Sequence, residues 1–174
     1  MAILIFTARK LELVNRQHQL QYKLLTLTRK LTDLQQYAAN ISDGSISMHD
    51  MMNTPPSMFT RQMAFMMYSH NASIFGAQQQ MQMMGPMMQQ QMMQMPDPNA
   101  QMQYQNWVFQ NLYKQQRELA GRQETALLNQ QEKQITEEKT KLETQLKMLE
   151  TELESVKKAE DNGVKQATPQ YTFM

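Results

Sequence analysis

Residues 128–156 read LNQQEKQITEEKTKLETQLKMLETELESV. Leu128, Ile135, Leu142, Leu149 and Val156 recur every seven residues, and Leu146 and Leu153 lie four beyond Leu142 and Leu149. Alternating spacings of four and three put both sets on one narrow stripe, the first at d and the second at a of a coiled-coil seam. A helix with such a seam buries it against another helix. The fold therefore turns on which segment supplies the partner.

The first candidate lies near the other end of the chain. Leu13, Leu20, Leu27, Leu34 and Ile41 occupy successive d positions, with Leu24, Leu31 and Ala38 at a. This spacing predicts a helix over about 8–42, stopped at Asp43-Gly44 because glycine readily takes the left-handed conformation that ends a helix. Arg9, Arg16, Lys23 and Lys30 form a basic row at g, and the last helix carries Glu124, Glu138 and Glu152 at its own g positions. Antiparallel pairing sets these two g rows face to face, whereas parallel pairing sets the basic row against Glu143 and Glu150 at e. Charge alone does not decide, and pairing between chains is the rival to a hairpin. Matching the leucine-rich ends of the two seams puts residues near 31 opposite residues near 146.

Between the seams the composition changes. Ser47 and Asp50 are spaced as a small capping box ahead of Pro55-Pro56. Phe59, Met63, Met66, Met67 and Ile74 predict a short apolar middle helix over about 57–76. Residues 77–97 are a Met/Gln-rich low-complexity connector, with eight Met among residues 81–95 and Gly85-Pro86 as a break. Asp97-Pro98 then opens the last helix, about 98–161, with an N-cap and a proline in the first turn. The expected architecture is all-α: an elongated antiparallel helical hairpin, residues 1–163 as one domain, with 164–174 a disordered tail. The middle helix is expected to cover Trp107, Phe109, Leu112 and Leu119.

Composition narrows function further. The chain has 174 residues, 19 Met, no Cys and a net charge of +1. Residues 1–42 hold six basic and two acidic residues, whereas 102–174 hold ten and eleven. Without cysteine there is no disulfide and no thiolate metal site. No stretch reaches the roughly 18 apolar residues of a membrane span. The apolar run before Arg9 is too short for a signal-peptide core and has its charges on the wrong side. The expected location is the cytoplasm, or outside it by export without a cleaved signal.

Catalytic equipment is hard to find. His18 falls on the outward b row, and His49 sits by a turn; neither has the spacing of a helical zinc site. The glycines are isolated, and Glu137-Glu138 or Glu152 with Glu154 are carboxylates on a helix surface without a cleft. The reading is a non-enzyme without cofactor. The basic g row reads as the flank of a coiled coil sooner than as a nucleic-acid or membrane contact, since no aromatic residue interleaves it and the 4-3 stripe is narrow.

The methionine cluster has three readings. As a contact surface it suits varied partner segments, because methionine is flexible and polarizable. Phe59, Met63, Met66, Met67, Trp107 and Leu112 are then the partner-contact residues. As a soft-metal site, Met81, Met83, Met84, Met87 and Met88 offer thioethers for Cu(I). As a structural element it fills core and linker. The leading expectation is a coiled-coil assembly or adaptor protein that binds protein partners, itself included. A peptide-holding chaperone or secretion accessory is the alternative, and metal binding a weaker one.

The apolar start, the heptad helix and the run Ile41-Ser42-Asp43-Gly44-Ser45-Ile46 resemble the uncleaved N-terminus of flagellin-type axial proteins. Those proteins return a C-terminal helix to the N-terminal one, so the resemblance implies a hairpin and export. This chain departs from them in ending on a polar stretch with Pro169 in place of an apolar helix.

Overall fold

The computed structural model describes residues 2–41 and 46–167. Helix accounts for 93% of them and none forms a strand, so the all-α expectation holds. The elements are α1 (Ala2–Asn40), α2 (Met48–Met52), α3 (Pro56–Met92) and α4 (Pro98–Ala167). The predicted stop at Asp43-Gly44 lies outside the described residues, as does the tail beyond Ala167. Contacts divide the chain into two units, residues 1–31 with 133–174 and residues 32–132.

The first unit is α1 against the C-terminal part of α4, antiparallel. Leu13 is buried against Leu149 and Leu153, with Val14, Leu20 and Val156 around them. The g rows meet: Arg9 donates from Nε to Glu152 at 3.1 Å. This contact and Glu12 hold the Arg9 pKa above its ordinary value.

The register differs from the leucine-end match. Gln17 faces Glu150, and continuing antiparallel from there sets Leu31 beside Ile135, about three turns from Leu146. At this register Leu13 still packs on Leu149 and Leu153, and the polar seam position Lys10 is matched as well. Its Nζ donates to Glu160 at 2.9 Å, and Glu160 is itself at an a position. The bond from Lys10, helped by Thr7, holds the Glu160 carboxyl below its usual range. The pair is partly open to solvent, so it adds to this register without fixing it alone. α1 starts earlier than the seam predicts, at Ala2, and Thr7 in this added stretch donates to Glu160 at 3.0 Å.

The second unit joins the end of α1 to α2, α3 and the first part of α4. The Ser47 capping box forms as read: Asp50 N donates to Ser47 Oγ at 3.2 Å and Ser47 N to Asp50 Oδ2 at 2.8 Å. The Ser47 hydroxyl, 2.6 Å from Asp50 Oδ2, and then the Ser47 N–H keep the Asp50 carboxyl below its ordinary pKa. α3 buries Gln62, Phe65, Ser69, Ser73, Ala77 and Met88. Serine and alanine keep that stripe small, and Gly76 leaves room for the Gln116 side chain, which would lie 2.9 Å from a Cβ there. Gln62 is the exception on the stripe, because neither of its amide atoms has a hydrogen-bond partner among the described residues.

α3 runs on through Gly85-Pro86, where the sequence predicts a break after a short helix, and ends at Met92. Two local facts explain this. The clash that proline imposes on the preceding residue involves that residue's Cβ, and Gly85 has none. Past the proline, Met88 and Met92 remain packed on Val108 and Leu112, so the helix has an apolar anchor on both sides of its lost hydrogen bond. Gly85 and Pro86 still carry their propensity cost. Nothing lies within 4 Å of a Cβ built on Gly85, and Pro86 is exposed. Gly85→Ala is therefore expected to raise stability by about 1 kcal/mol, and Pro86→Ala by up to about 3 kcal/mol. Urea titrations of each variant check both values.

Candidate functional site

Helical periodicity divides the methionine-rich segment by face. Met81, Met84, Met88 and Met92 follow Ala77 at steps of three or four and pack on Val108, Leu112, Tyr104, Phe109 and Tyr113. Met83, Met87 and Met93 point away from that core and are 62–79% exposed. One set of thioethers fills the interior of the α3–α4 hairpin; the other coats its outside. The five sulfurs grouped by sequence proximity thus lie on two faces of one helix. Among the described residues, no group of three His, Asp or Glu comes together to hold a metal.

The hairpin end is firmly closed. Asp97 Oδ1 accepts from Asn99 N at 3.0 Å, capping α4 as Asp97-Pro98 predicts. Gln101 Nε2 donates to the carbonyls of Met92 and Met95, at 3.1 and 2.8 Å, and so satisfies the frayed end of α3. Tyr104 donates its hydroxyl to Gln91, and its ring lies 6.2 Å from Trp107, nearly parallel to it. Gln91, Gln94, Met95, Tyr104 and Trp107 line an open recess of about 570 Å³. Further along, His70 Nδ1 and the Tyr113 hydroxyl are 2.9 Å apart. Arg117 lies 5.9 Å over the Tyr113 ring.

The exposed side is almost free of charge. From Gln62 to Tyr113 the only formally charged residue is Asp97. Exposed Met67, Tyr68, Phe75, Met83, Met87 and Met93 therefore sit among glutamines, with Met102 and Trp107 exposed on α4. Such a surface attracts no ion and repels none; what it offers is dispersion and adaptable amide hydrogen bonds.

The residues singled out from sequence are placed as follows. In the seam, Leu13, Leu27, Leu34, Ile41, Leu128, Leu149 and Leu153 are buried. Leu20, Leu24, Leu31, Ile135, Leu142, Leu146 and Val156 are half-buried. Of the contact residues, Phe59, Met67 and Trp107 are exposed, whereas Leu112 belongs to the core and Met63 and Met66 are half-buried. Of the four residues the middle helix is expected to cover, Leu112 is buried and Phe109 packs beside it, whereas Trp107 and Leu119 stay largely exposed and Val108 is buried instead. In the basic row, Arg9 and Arg16 both pair with Glu12.

Sequence reading missed the polar centre of the second unit. Tyr37 is fully buried, with Arg61 5.7 Å above its ring. Arg61 Nε donates to Glu124 at 2.7 Å, and the Tyr37 hydroxyl also reaches Glu124, at 3.4 Å. Burial, and then the Glu124 charge, push the Tyr37 phenol well above its ordinary range. The available signal was positional: Tyr37 continues the g row of Arg9 to Lys30, opposite Glu124 at g.

No family model, no curated protein and no solved structure matches the chain, so the flagellin-like run at residues 41–46 assigns no family.

Proposed function

We propose that this chain is a non-enzymatic helical assembly or adaptor protein whose α3–α4 hairpin binds apolar segments of protein partners. The observation that supports this is the division of the methionines. Met83, Met87, Met93 and Met102 stand exposed on helices that other side chains already hold in place, so they are not needed to fill the core. Methionine adapts its shape to different partners at little cost. The glutamines between them accept or donate as a partner requires, and no nearby charge selects against either sign. The recess beside Trp107 favours a second form of the same reading, a holdase that seats one apolar side chain of a client.

The test replaces Met83, Met87, Met93 and Met102 together by glutamine and titrates a labelled leucine-rich amphipathic peptide. Exposed substitutions of this kind change stability by no more than about 0.5 kcal/mol each, so helix content and melting stay close to those of the parent. Peptide affinity is expected to fall by about tenfold or more. Because the surface is uncharged, affinity of the parent chain is also expected to be insensitive to salt. Unchanged peptide affinity in the glutamine variant would sink the proposal, and a steep salt dependence would move the contact to the basic row of α1.

A further inference from the structure

α1 carries a second 4-3 repeat on the side that α4 does not cover. Leu4, Leu11, His18 and Leu25 fall seven apart, and Ala8, Asn15 and Tyr22 lie four after the first three of them. All seven are exposed, Leu4 by 75%, Leu11 by 66%, Tyr22 by 72% and Leu25 by 49%. In a helix with a single seam these outward positions belong to charged residues. Here the charged residues Arg9, Lys10, Glu12, Arg16 and Lys23 all lie off the row, and the first charge on it is Arg29, beyond Leu25. The repeat is sustained for three heptads, the length at which a seam becomes a meaningful signal.

We propose that this face pairs with the same face of a second copy of the chain, α1 antiparallel to α1 about a twofold axis. The reading rests on the chain being an assembly protein and supplies the partner. An antiparallel seam layers one repeat position against the other, and one register matches the layers from Ala8 to Leu25, with Leu4 opposite Arg29 at the outer ends. Asn15 of each copy meets His18 of the other, on either side of the axis, so the two polar members hydrogen-bond to each other. The next layers set Leu11 against Tyr22 and then Ala8 against Leu25, a small residue against a large one. A polar pair inside an apolar seam fixes register, because any slip strands it against leucine. The parallel arrangement instead stacks Tyr22 on Tyr22 and His18 on His18.

The flanks agree. Thr7, Val14, Gln21 and Thr28 border the row on one side, and Ile5, Glu12, Gln19 and Thr26 on the other. Glu12 is the one charge among them, and it is already paired with Arg9 and Arg16. No like charges meet across the axis. A lipid surface would call for lysine or arginine along these flanks, and neither side supplies one.

The experiment uses the full chain. Light scattering behind size exclusion is expected to give twice the chain mass of 20.4 kDa. Leu11→Lys with Leu25→Lys is expected to weaken the dimer by about a hundredfold or more, with helix content unchanged because both side chains are exposed in the monomer. The chain has no cysteine, so introduced thiols report geometry directly. Leu11→Cys with Tyr22→Cys is expected to give a disulfide-linked dimer on oxidation, and Leu11→Cys alone is not. Overturning results are a parent chain that is monomeric at every concentration, a dimer indifferent to the two lysines, or cross-linking through Leu11→Cys alone. Binding of a monomeric parent to anionic vesicles, abolished by the lysines, would also overturn it and give the face to a membrane. The glutamine variant of the methionine surface is expected to stay dimeric, so failure of either proposal is visible without the other.

Discussion

Leu13→Asp is expected to open the first unit while the second stays folded. Leu13 is 1% exposed and sits directly on Leu149 and Leu153. The basic seam residue nearest in sequence, Lys10, is already bound to Glu160, so a carboxylate placed there is buried without a free partner, at a cost of several kcal/mol. Leu13→Ala, which leaves a cavity but no charge, is expected to cost about 2–5 kcal/mol. Amide exchange is the measurement, because it resolves local opening from global unfolding. Protection should fall across 4–31 and 133–165 and persist across 56–92. Equal loss everywhere would show that the two units unfold as one. Loss nowhere would show that the Leu13 layer holds nothing together.

The second large effect lies at Tyr37. Tyr37→Ala removes a fully buried ring from beneath Arg61 and is expected to destabilise the protein by about 3–5 kcal/mol. Tyr37→Phe keeps the ring and gives up only a long hydrogen bond to Glu124, so a loss of about 1 kcal/mol or less is expected. The two variants also separate on pH. The folded-state pKa of the phenol is raised above its unfolded value of about 10. Its contribution is therefore fully present below pH 10 and is lost as pH rises beyond it. Alkaline unfolding of the parent should steepen there, and that of Tyr37→Phe should not. A parent and a Phe variant with superimposable alkaline limbs would remove Tyr37 from the account of stability.

Periodicity carried much of the architecture because it acts over many residues at once. Leu13 and Leu149 were readable as seam residues since seven-residue repeats bury the same stripe whatever the partner. The antiparallel sense was not readable from charge, since Glu143 and Glu150 make the e row acidic as well; it followed from leaving residues 100–135 for the apolar middle helix to cover. Register was not readable, because more than one register sets leucine against leucine, and the match of Lys10 with Glu160 joins positions 150 apart in the sequence. Gly85-Pro86 misled for a related reason. Each residue alone weakens a helix, but the glycine relieves the proline's clash and the stripe from Ala77 to Met92 anchors both sides. Composition alone also could not divide the methionines. Inward Met88 and outward Met87 are neighbours in sequence, and only the phase of the helix distinguishes them.

That phase has a consequence for oxidative chemistry. Peroxide attacks thioether sulfur where it can reach it, and each sulfoxide turns a greasy side chain into a polar one. Met83, Met87 and Met93 would be converted well before Met88 beneath them. Mild oxidation would therefore leave the helices standing and take the adhesiveness from their outer skin, and methionine sulfoxide reductase would restore it.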